Sequence, residues 1–378
     1  MTATAIGDVS SRTGATLLLE LLENEGVEYV FGNPGTTELP LMDALVDQPA
    51  LRYILALQEA SAVAMADGYA QASGKPGFLN LHTAGGLGHG MGNLLNAAIA
   101  QTPLVVTAGQ QDSRHTITDP LLFGDIVRLG GPAVKWAQEV AHADQLPILV
   151  PRAFNDAVAP PPGPVLLSLP MDVMEETTRA SVPSRSTIER RNVGGSLGPL
   201  AEALAAIRPG RLALIAGDEV HSSGAGLRAA ALAEMLGAPV YGSSWPSRIP
   251  FPTSHPLWAG NLPTRAVDIA GVLSNFDALL ALGGKSLITI LYTEGPAVPA
   301  DCAVYQISAD VRDLGRTFAT PLSIVGDIDA TLAALLPLLE SATAPSRGER
   351  DALVVGARAR RRAERSELTA RADAEPPH

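Results

Sequence analysis

Residues 29–40 read YVFGNPGTTELP and contain the strongest local signal for the fold. The first three of these residues are aromatic or β-branched, which is typical of a buried strand. The Gly-Asn-Pro-Gly run that follows predicts a tight turn, and Thr36 or Thr37 can cap a helix that begins after it. Strand, turn and helix in this order form the repeating unit of a parallel α/β sheet.

The same order recurs along most of the chain. In the first half we predict strands and helices in alternation: strands at 29–31, 53–56, 77–81, 104–107 and 165–168, and helices at 16–25, 59–73, 90–100 and 142–158. The second half repeats the alternation: strands at 212–216, 240–241, 278–282, 303–307 and 322–325, and helices at 199–207, 224–236, 265–274 and 329–340. The sequence therefore predicts an α/β protein with two doubly wound, three-layer domains built on parallel sheets.

Composition marks the boundaries between these domains. Residues 181–198 are mostly polar or small and predict a linker. It separates an N-terminal domain at 1–180 from a central α/β domain at 199–340. Residues 341–378 are rich in arginine and glutamate, so we expect a charged linker or tail, made of a solvated helix and a loose end.

Length, charge and cysteine content exclude several classes of protein. The chain has 378 residues with 46% hydrophobic and 17% charged residues, which is typical of a globular protein. Its formal net charge of -12 opposes binding to nucleic acid or an anionic membrane. A single cysteine, Cys302, excludes an internal disulfide, and the first residues lack a signal-peptide pattern. We expect a soluble, cytoplasmic protein without nucleic-acid or membrane partners.

Two candidate sites follow the first two strands. At 32–38, backbone amides at a helix start could face an anion or a ring, or the residues could form only a capping turn with Glu38 in the first helical turn. Glu59 closes an apolar strand and opens an apolar helix, so burial could make it a proton-handling group. A first-turn glutamate favoured by the helix dipole is the plainer alternative for Glu59.

A third candidate site follows the strand at 77–81. His82 ends this strand, and a loop with five glycines in eight residues, 85–92, comes next. Such a loop lets the backbone approach a ligand closely. His82 and His89 could each act as acid or base or serve only as a structural side chain. The histidine spacings predict no metal site, and the motifs of nucleophile-elbow hydrolases and P-loop nucleotide triphosphatases are absent from the sequence.

Taken together, these motifs and their spacing resemble the pyrimidine-binding domain of thiamine-diphosphate enzymes, and most of all the benzoylformate decarboxylases. The matching motifs lie at 32–40, 57–60, 66–70, 81–84 and 106–111. The Asn-Pro-Gly turn and His82 distinguish the chain from the acetolactate synthases, which are similar in the helix that begins with the glutamate. Residues 237–240 and 248–256 resemble the central domain of the same family.

The resemblance implies a cofactor, a substrate class and catalytic residues. The cofactor is thiamine diphosphate and the substrate a 2-oxo acid, which loses carbon dioxide after the cofactor ylid adds to its carbonyl. Glu59 matches the glutamate that hydrogen-bonds N1′ of the aminopyrimidine and promotes loss of the C2 proton. His82 matches a histidine that moves protons on the substrate, and Thr36 matches a hydroxyl residue near the substrate carboxylate.

The resemblance also implies contacts to the cofactor ring. Asn33, Pro34 and Gly35 would line the pyrimidine pocket, and His89 is a further candidate for binding the cofactor. In this family a third domain holds the diphosphate through Mg²⁺ with a Gly-Asp-Gly motif, which this sequence does not contain. We therefore expect the Mg²⁺ ligands outside this chain and no metal ligand within it. Ile290 aligns with a second active-site histidine of the family decarboxylases.

Three functional alternatives remain at this stage. The chain is a subunit or fragment of a benzoylformate-decarboxylase-like enzyme, inactive without the diphosphate-binding domain, or an acetolactate-synthase-like carboligase, or a scaffold that has lost catalysis. Retention of both Glu59 and His82 argues against the scaffold. For the enzyme we expect a homo-oligomer, a partner chain that carries the diphosphate-binding domain, or both.

Overall fold

The computed structural model describes residues 11–374, with side chains for 11–371. The first ten residues of the predicted N-terminal domain and residues 375–378 of the predicted tail lie outside the described residues. The chain divides into two compact units between Ile188 and Glu189, within the stretch predicted as a linker. Within the described residues, no helix is long and apolar enough to span a membrane.

The first unit is built on a six-stranded parallel sheet in the order β3-β2-β4-β5-β7-β6, with a two-stranded ribbon β1-β8 beside it. Its helices and strands are β1 Arg12–Thr13, α1 Gly14–Asn24, β2 Tyr29–Gly32, α2 Leu39–Leu45, β3 Arg52–Leu55, α3 Glu59–Ser73, β4 Gly77–Leu81, α4 Thr83–Ile99, β5 Leu104–Gln110, α5 Ile126–Gly130, β6 Ala137–Glu139, α6 Leu146–Val158, β7 Val165–Pro170, α7 Met171–Glu175 and β8 Thr177–Thr178.

Helices cover both faces of this sheet. Neighbouring strand residues alternate between two apolar cores: Phe78 packs with the leucines of α1, whereas Leu79 packs with α3 and α4. Strands β4, β5 and β7 are buried along their whole length, as expected for the centre of a parallel sheet. Because β2, β3 and β4 run parallel, their carboxyl ends lie at one edge of the sheet.

The second unit repeats this architecture with the strand order β11-β10-β9-β12-β13-β14, also parallel throughout. Its elements are α8 Gly198–Ala206, β9 Leu212–Ala216, α9 Asp218–Ser222, α10 Gly226–Leu236, β10 Val240–Gly242, β11 Trp258–Asn261, α11 Ala266–Leu273, β12 Ala278–Leu282, β13 Ala303–Ser308, β14 Leu322–Val325, α12 Ile328–Thr343 and α13 Arg347–Ala374. Strand order reverses between β9 and β12, as in doubly wound sheets. The predicted fold class is therefore confirmed for both units.

The glycine-rich stretch after His82 was expected to be a loop, and this is wrong, because α4 begins at Thr83. The reason is close packing between α3 and α4. A Cβ atom on Gly86 would lie 2.9 Å from Glu59 Oε1, and one on Gly90 would lie 3.0 Å from Val63 Cγ2. Gly86 and Gly90 are one helical turn apart, as are Glu59 and Val63, so the two glycines let the helices approach along a shared face.

The charged C-terminal segment also differs from a solvated linker, because the start of α13 belongs to the core of the second unit. Val354 and Ala357 are buried in that core. Arg350 is 1% exposed and donates hydrogen bonds of 2.9–3.0 Å to backbone carbonyls near the ends of α8 and α10. Those carbonyls lack partners within their own helices, so Arg350 both satisfies them and fixes α13 to the unit.

We predict that Arg350→Met lowers the free energy of unfolding of the second unit by about 2–4 kcal/mol, because one buried and two part-buried carbonyls lose their donor. Urea unfolding followed by tryptophan fluorescence measures the change. Arg360→Met on the exposed side of the same helix is the matched control and should change stability by less than about 0.5 kcal/mol. Equal stability of the two variants would show that Arg350 does not anchor the helix.

Candidate active site

The three candidate segments meet at the carboxyl edge of the first sheet. The turn after β2 carries Asn33, the residue that opens α3 is Glu59, and His82 follows β4. Asn33 contacts Glu59, and the residues after the turn contact His82. Residues that are up to 49 positions apart in sequence thus form one cluster of polar groups.

Glu59 is the centre of the first group of contacts. It is 7% exposed, and the Gln58 side chain caps its helix by accepting a hydrogen bond from the Ser61 amide. Asn33 Nδ2 donates to Glu59 Oε1 at 3.2 Å, and His89 Nδ1 lies 3.1 Å from Glu59 Oε2. His89 itself is two-thirds exposed, so one side of this contact is open to solvent.

These contacts hold Glu59 in its ionised form. Burial is the largest influence and by itself raises the pKa of the carboxyl. Its own backbone amide and the hydrogen bonds from His89 and Asn33 act in the opposite direction, and together they bring the pKa below its ordinary value. The sequence predicts the burial of Glu59 but gives no signal for these donors. Glu59 is therefore a buried acceptor of hydrogen bonds rather than a neutral acid.

His82 is the centre of the second group. Its Nδ1 lies 2.8 Å from Glu38 Oε2, and Glu38 is buried. Thr37 Oγ1 donates to Glu38 Oε1 at 2.8 Å and lies 3.2 Å from His82 Nδ1. Glu38 also accepts a hydrogen bond from the Gly35 amide, so it caps the turn and orients the histidine at once. Because Nδ1 is held by these oxygens, Nε2 is the nitrogen that can exchange protons with a ligand.

Glu38 raises the pKa of His82 through the hydrogen bond, partial burial opposes this rise, and the charges of Glu38 and Glu59 add to it. A histidine whose pKa is raised on folding contributes stability that is complete below its unfolded pKa. This contribution is lost as the pH rises through the folded pKa. The pair with Glu38 therefore shifts His82 towards its imidazolium form relative to a free histidine.

Two glycines make room for the group of contacts around His82. A Cβ on Gly35 would lie 2.4 Å from the His82 ring, and one on Gly109 would lie 1.8 Å from Glu38 Oε1. Thr83, directly after His82, has a φ of 54°, which a β-branched residue rarely adopts. Strained backbone of this kind is common where a side chain must be held in one direction for function.

The remaining predicted residues lie in the same turn but do not join these contacts. Thr36 is exposed at the start of a short 3₁₀ helix, and Pro34 is half-buried beside it. It is Thr37, not Thr36, whose hydroxyl contacts His82 and Glu38. The role of Thr36 towards a substrate stays a prediction. Between residues 11 and 371, no group of three or more His, Cys, Asp or Glu side chains is arranged to hold a metal ion.

Sequence reasoning missed the role of Glu38 and Thr37. Glu38 was recognised only as a possible first-turn residue of the capping turn, and its spacing from His82 carries no local signal. The glycine at 109 was the available clue, because a glycine near the end of a buried strand indicates close approach of another group.

We predict that Glu38→Gln lowers the pKa of His82 towards its ordinary value near 6.5, because the negative charge beside Nδ1 is removed. An NMR titration of the His82 ring measures the pKa. The variant should also lose stability relative to the wild type below about pH 6.5, with the difference shrinking as the pH rises. Glu23→Gln, an exposed control, should leave the His82 titration unchanged. If His82 titrates identically in the wild type and both variants, Glu38 does not raise its pKa.

We predict opposite effects of alanine at two glycines of α4. Gly86→Ala places a Cβ against the Glu59 carboxylate and should lower the free energy of unfolding by about 1–3 kcal/mol. No atom lies within 4 Å of a Cβ on Gly88, so Gly88→Ala should raise it by about 0.5–1 kcal/mol through helix propensity. Urea unfolding measures both, and stabilisation by Gly86→Ala would contradict the packing described here.

Comparisons with known proteins agree with this arrangement. Residues 12–138 match the family described as "Thiamine pyrophosphate enzyme, N-terminal TPP binding domain", and residues 200–335 match "Thiamine pyrophosphate enzyme, central domain". Benzoylformate decarboxylase from Pseudomonas aeruginosa is 36% identical over 86% of this chain and 62% of its own length. The acetolactate synthase catalytic subunit of Aspergillus candidus is 27% identical over 89% of this chain and 51% of its own length.

A solved structure shows the same fold. Benzoylformate decarboxylase from Polynucleobacter necessarius superposes with a TM-score of 0.81 at 34% identity, covering 87% of this chain and 61% of that one. The chain thus spans about three fifths of the decarboxylases it matches. One family match lies within each of the two units described above, and the chain belongs to the thiamine pyrophosphate enzymes.

Proposed function

We propose that this chain forms the pyrimidine-binding and central domains of an enzyme that removes carbon dioxide from a 2-oxo acid without oxidation. The observation that carries the proposal is the buried carboxyl of Glu59, held by Asn33 and His89 next to the hydrogen-bonded pair of His82 and Glu38. The identity to a benzoylformate decarboxylase, higher than that to an acetolactate synthase, supports this reaction class.

The residues present fit the pyrimidine half of thiamine diphosphate. Glu59 offers a buried carboxylate to a ring nitrogen, and Gly86 leaves the space that any larger residue would take from it. Asn33, Pro34 and Gly35 would line the ring through the turn after β2. When bound, the cofactor supplies a nucleophilic carbon for the substrate carbonyl and an acceptor for the electrons released with carbon dioxide.

Glu59 would hold a proton at N1′ of the pyrimidine. Because its pKa is lowered, the carboxylate is an acceptor that stabilises a protonated ring nitrogen next to it. His89 lies on the solvent-exposed side of Glu59. It would either shield the contact between Glu59 and N1′ from water or give up its own contact with Glu59 when the pyrimidine ring binds. The burial of Glu59 strengthens each of these interactions by lowering the local dielectric.

His82 would bind the substrate and move its protons. Its raised pKa favours an imidazolium, which attracts the carboxylate of a 2-oxo acid, and Nε2 can donate to an oxygen that becomes negative during the reaction. Thr36, exposed in the same turn, would donate a hydrogen bond to the substrate carboxylate. Glu38 keeps the imidazole oriented and does not contact the substrate.

We also propose that turnover requires a diphosphate-binding domain with Mg²⁺ ligands from outside residues 1–378, and that an additional chain covers the site. Exposed small and apolar side chains on the outer faces of α3 and α4 support such a contact: Ser61, Ala64, Gly68, Gly88, Leu95 and Ile99. A second copy of this chain or a chain carrying the diphosphate-binding domain would suit this face.

The carboligase alternative differs in the product. A decarboxylase releases the aldehyde, whereas a carboligase joins the activated fragment to a second oxo acid. Proton NMR of the holoenzyme with benzoylformate, and separately with pyruvate, distinguishes an aldehyde from a hydroxy-acid product. We expect the aldehyde, and a hydroxy-acid product would overturn the decarboxylase assignment.

We predict that Glu59→Gln slows exchange of the cofactor C2 proton for deuterium by at least about 100-fold, because the amide cannot stabilise a protonated N1′. Proton NMR of thiamine diphosphate bound to the holoenzyme measures the exchange, and circular dichroism checks the fold. Glu23→Gln, an exposed glutamate in the same unit, is the control. Exchange within about threefold of wild type in Glu59→Gln would remove Glu59 from the mechanism.

A further inference from the structure

The second unit contains a cavity that the proposed function does not use. It has a volume of about 350 Å³ and lies between α13 and the amino ends of the sheet, where Gly210, Pro239 and Phe276 precede β9, β10 and β12. This is the edge opposite to the carboxyl ends, at which ligands of doubly wound sheets usually bind. All residues that line the cavity belong to the second unit.

The walls of this cavity are apolar and partly aromatic. Its lining includes Pro239, Leu257, Trp258, Phe276, Leu353 and Ala357. Trp258 stacks on Phe251, with ring centroids 6.0 Å apart, so the indole is fixed in position. A cavity of this volume with rigid aromatic walls is suited to a flat apolar group of ligand size.

The rim of the cavity carries two guanidinium groups, those of Arg360 and Arg361, and one carboxylate, that of Glu364. Arg361 donates to the Thr253 carbonyl at 3.0 Å and lies 3.4 Å from Glu364, but its Nε is buried and has no hydrogen-bond partner among the described residues. Arg360 is exposed, and within residues 11–371 no carboxylate pairs with it. One buried N–H of Arg361 without an acceptor, next to the exposed guanidinium of Arg360 that no carboxylate of the described residues neutralises, favours an anion at this rim.

A second cavity of about 600 Å³ continues the same groove. It shares Pro256 and Arg361 with the first and is also lined by Arg358, Arg362 and Arg365. Five arginines and one glutamate thus lie within residues 358–365, in a chain whose net charge is -12. The local positive field would select an anion that the rest of the acidic protein repels.

We infer that this cavity binds a small organic anion, namely an aromatic ring that carries a phosphate or carboxylate group. The aromatic ring of the ligand occupies the apolar part of the cavity beside Trp258, which we call the apolar slot. The phosphate or carboxylate group of the ligand accepts hydrogen bonds from Arg360 and Arg361. Guanidinium groups bind both kinds of oxyanion through paired hydrogen bonds, so the chemistry of the site is the same for either.

Calorimetric titration of the 378-residue protein tests this, with phenyl phosphate and benzoate as separate probes. We expect saturable binding of at least one probe together with a change in Trp258 fluorescence, which Trp258→Phe removes. Tighter binding of phenyl phosphate identifies a phosphate ligand, and tighter binding of benzoate a carboxylate ligand. Inorganic phosphate alone should bind at least about tenfold more weakly, because it leaves the apolar slot empty.

Three variants make the result specific. Arg360→Gln, alone or with Arg361→Gln, should weaken binding by at least about tenfold, and Ala259→Phe, which narrows the mouth from the exposed side, should do the same. Arg371→Gln is the control, since Arg371 is exposed on the same helix and lines neither cavity. Absence of saturable binding of either probe, or equal binding by all these variants and by inorganic phosphate, would overturn the inference.

Discussion

The close approach of α3 and α4 is the constraint on which the site depends. Glycines at 86 and 90 remove the side chains that would otherwise separate the helices, and Glu59 occupies the space that Gly86 leaves. This contact brings His89 of α4 to Glu59 of α3 and sets the direction in which α4 leaves His82. A larger side chain at Gly86 would displace the carboxylate itself, so packing and chemistry cannot be separated here.

The contacts around Glu59 and those around His82 shift the pKa values of the two groups in opposite directions. Glu59 is buried and surrounded by donors that lower its pKa, whereas His82 is paired with a carboxylate that raises its pKa. The same edge of the sheet thus presents an acceptor and a donor side by side. This separation of pKa values is the arrangement that acid–base chemistry at neutral pH requires. It follows from which side chains surround each group rather than from either residue alone.

Much of this fold could be predicted from the sequence. Buried parallel strands are continuous apolar runs, and those at 77–81, 212–216 and 278–282 have the predicted bounds. The edge strands β6 and β11 were missed because they are short and largely exposed or interrupted by glycine. The glycine-rich helix α4 was misjudged because glycine disfavours helices locally, while the contact with α3 that stabilises it is tertiary.

The site was predictable only in part. Glu59, Asn33 and His82 were found through their positions after strands and through the family resemblance, and the structure brings all three to one edge. The role of Glu38 was not found, because its hydrogen bond with His82 joins residues that are distant in the sequence. The buried Arg350 could not be predicted either, because α13 is rich in arginine. The sequence alone does not distinguish an arginine that donates to helix carbonyls from one that is exposed to solvent.

A crystal structure of the holoenzyme with thiamine diphosphate and Mg²⁺ would show whether Glu59 binds the aminopyrimidine. We expect a carboxylate oxygen of Glu59 within about 2.6–3.2 Å of N1′, with the ring against the turn that carries Asn33. A bound cofactor whose ring lies elsewhere, while Glu59 keeps its contacts with Asn33 and His89, would show that Glu59 does not bind the ring.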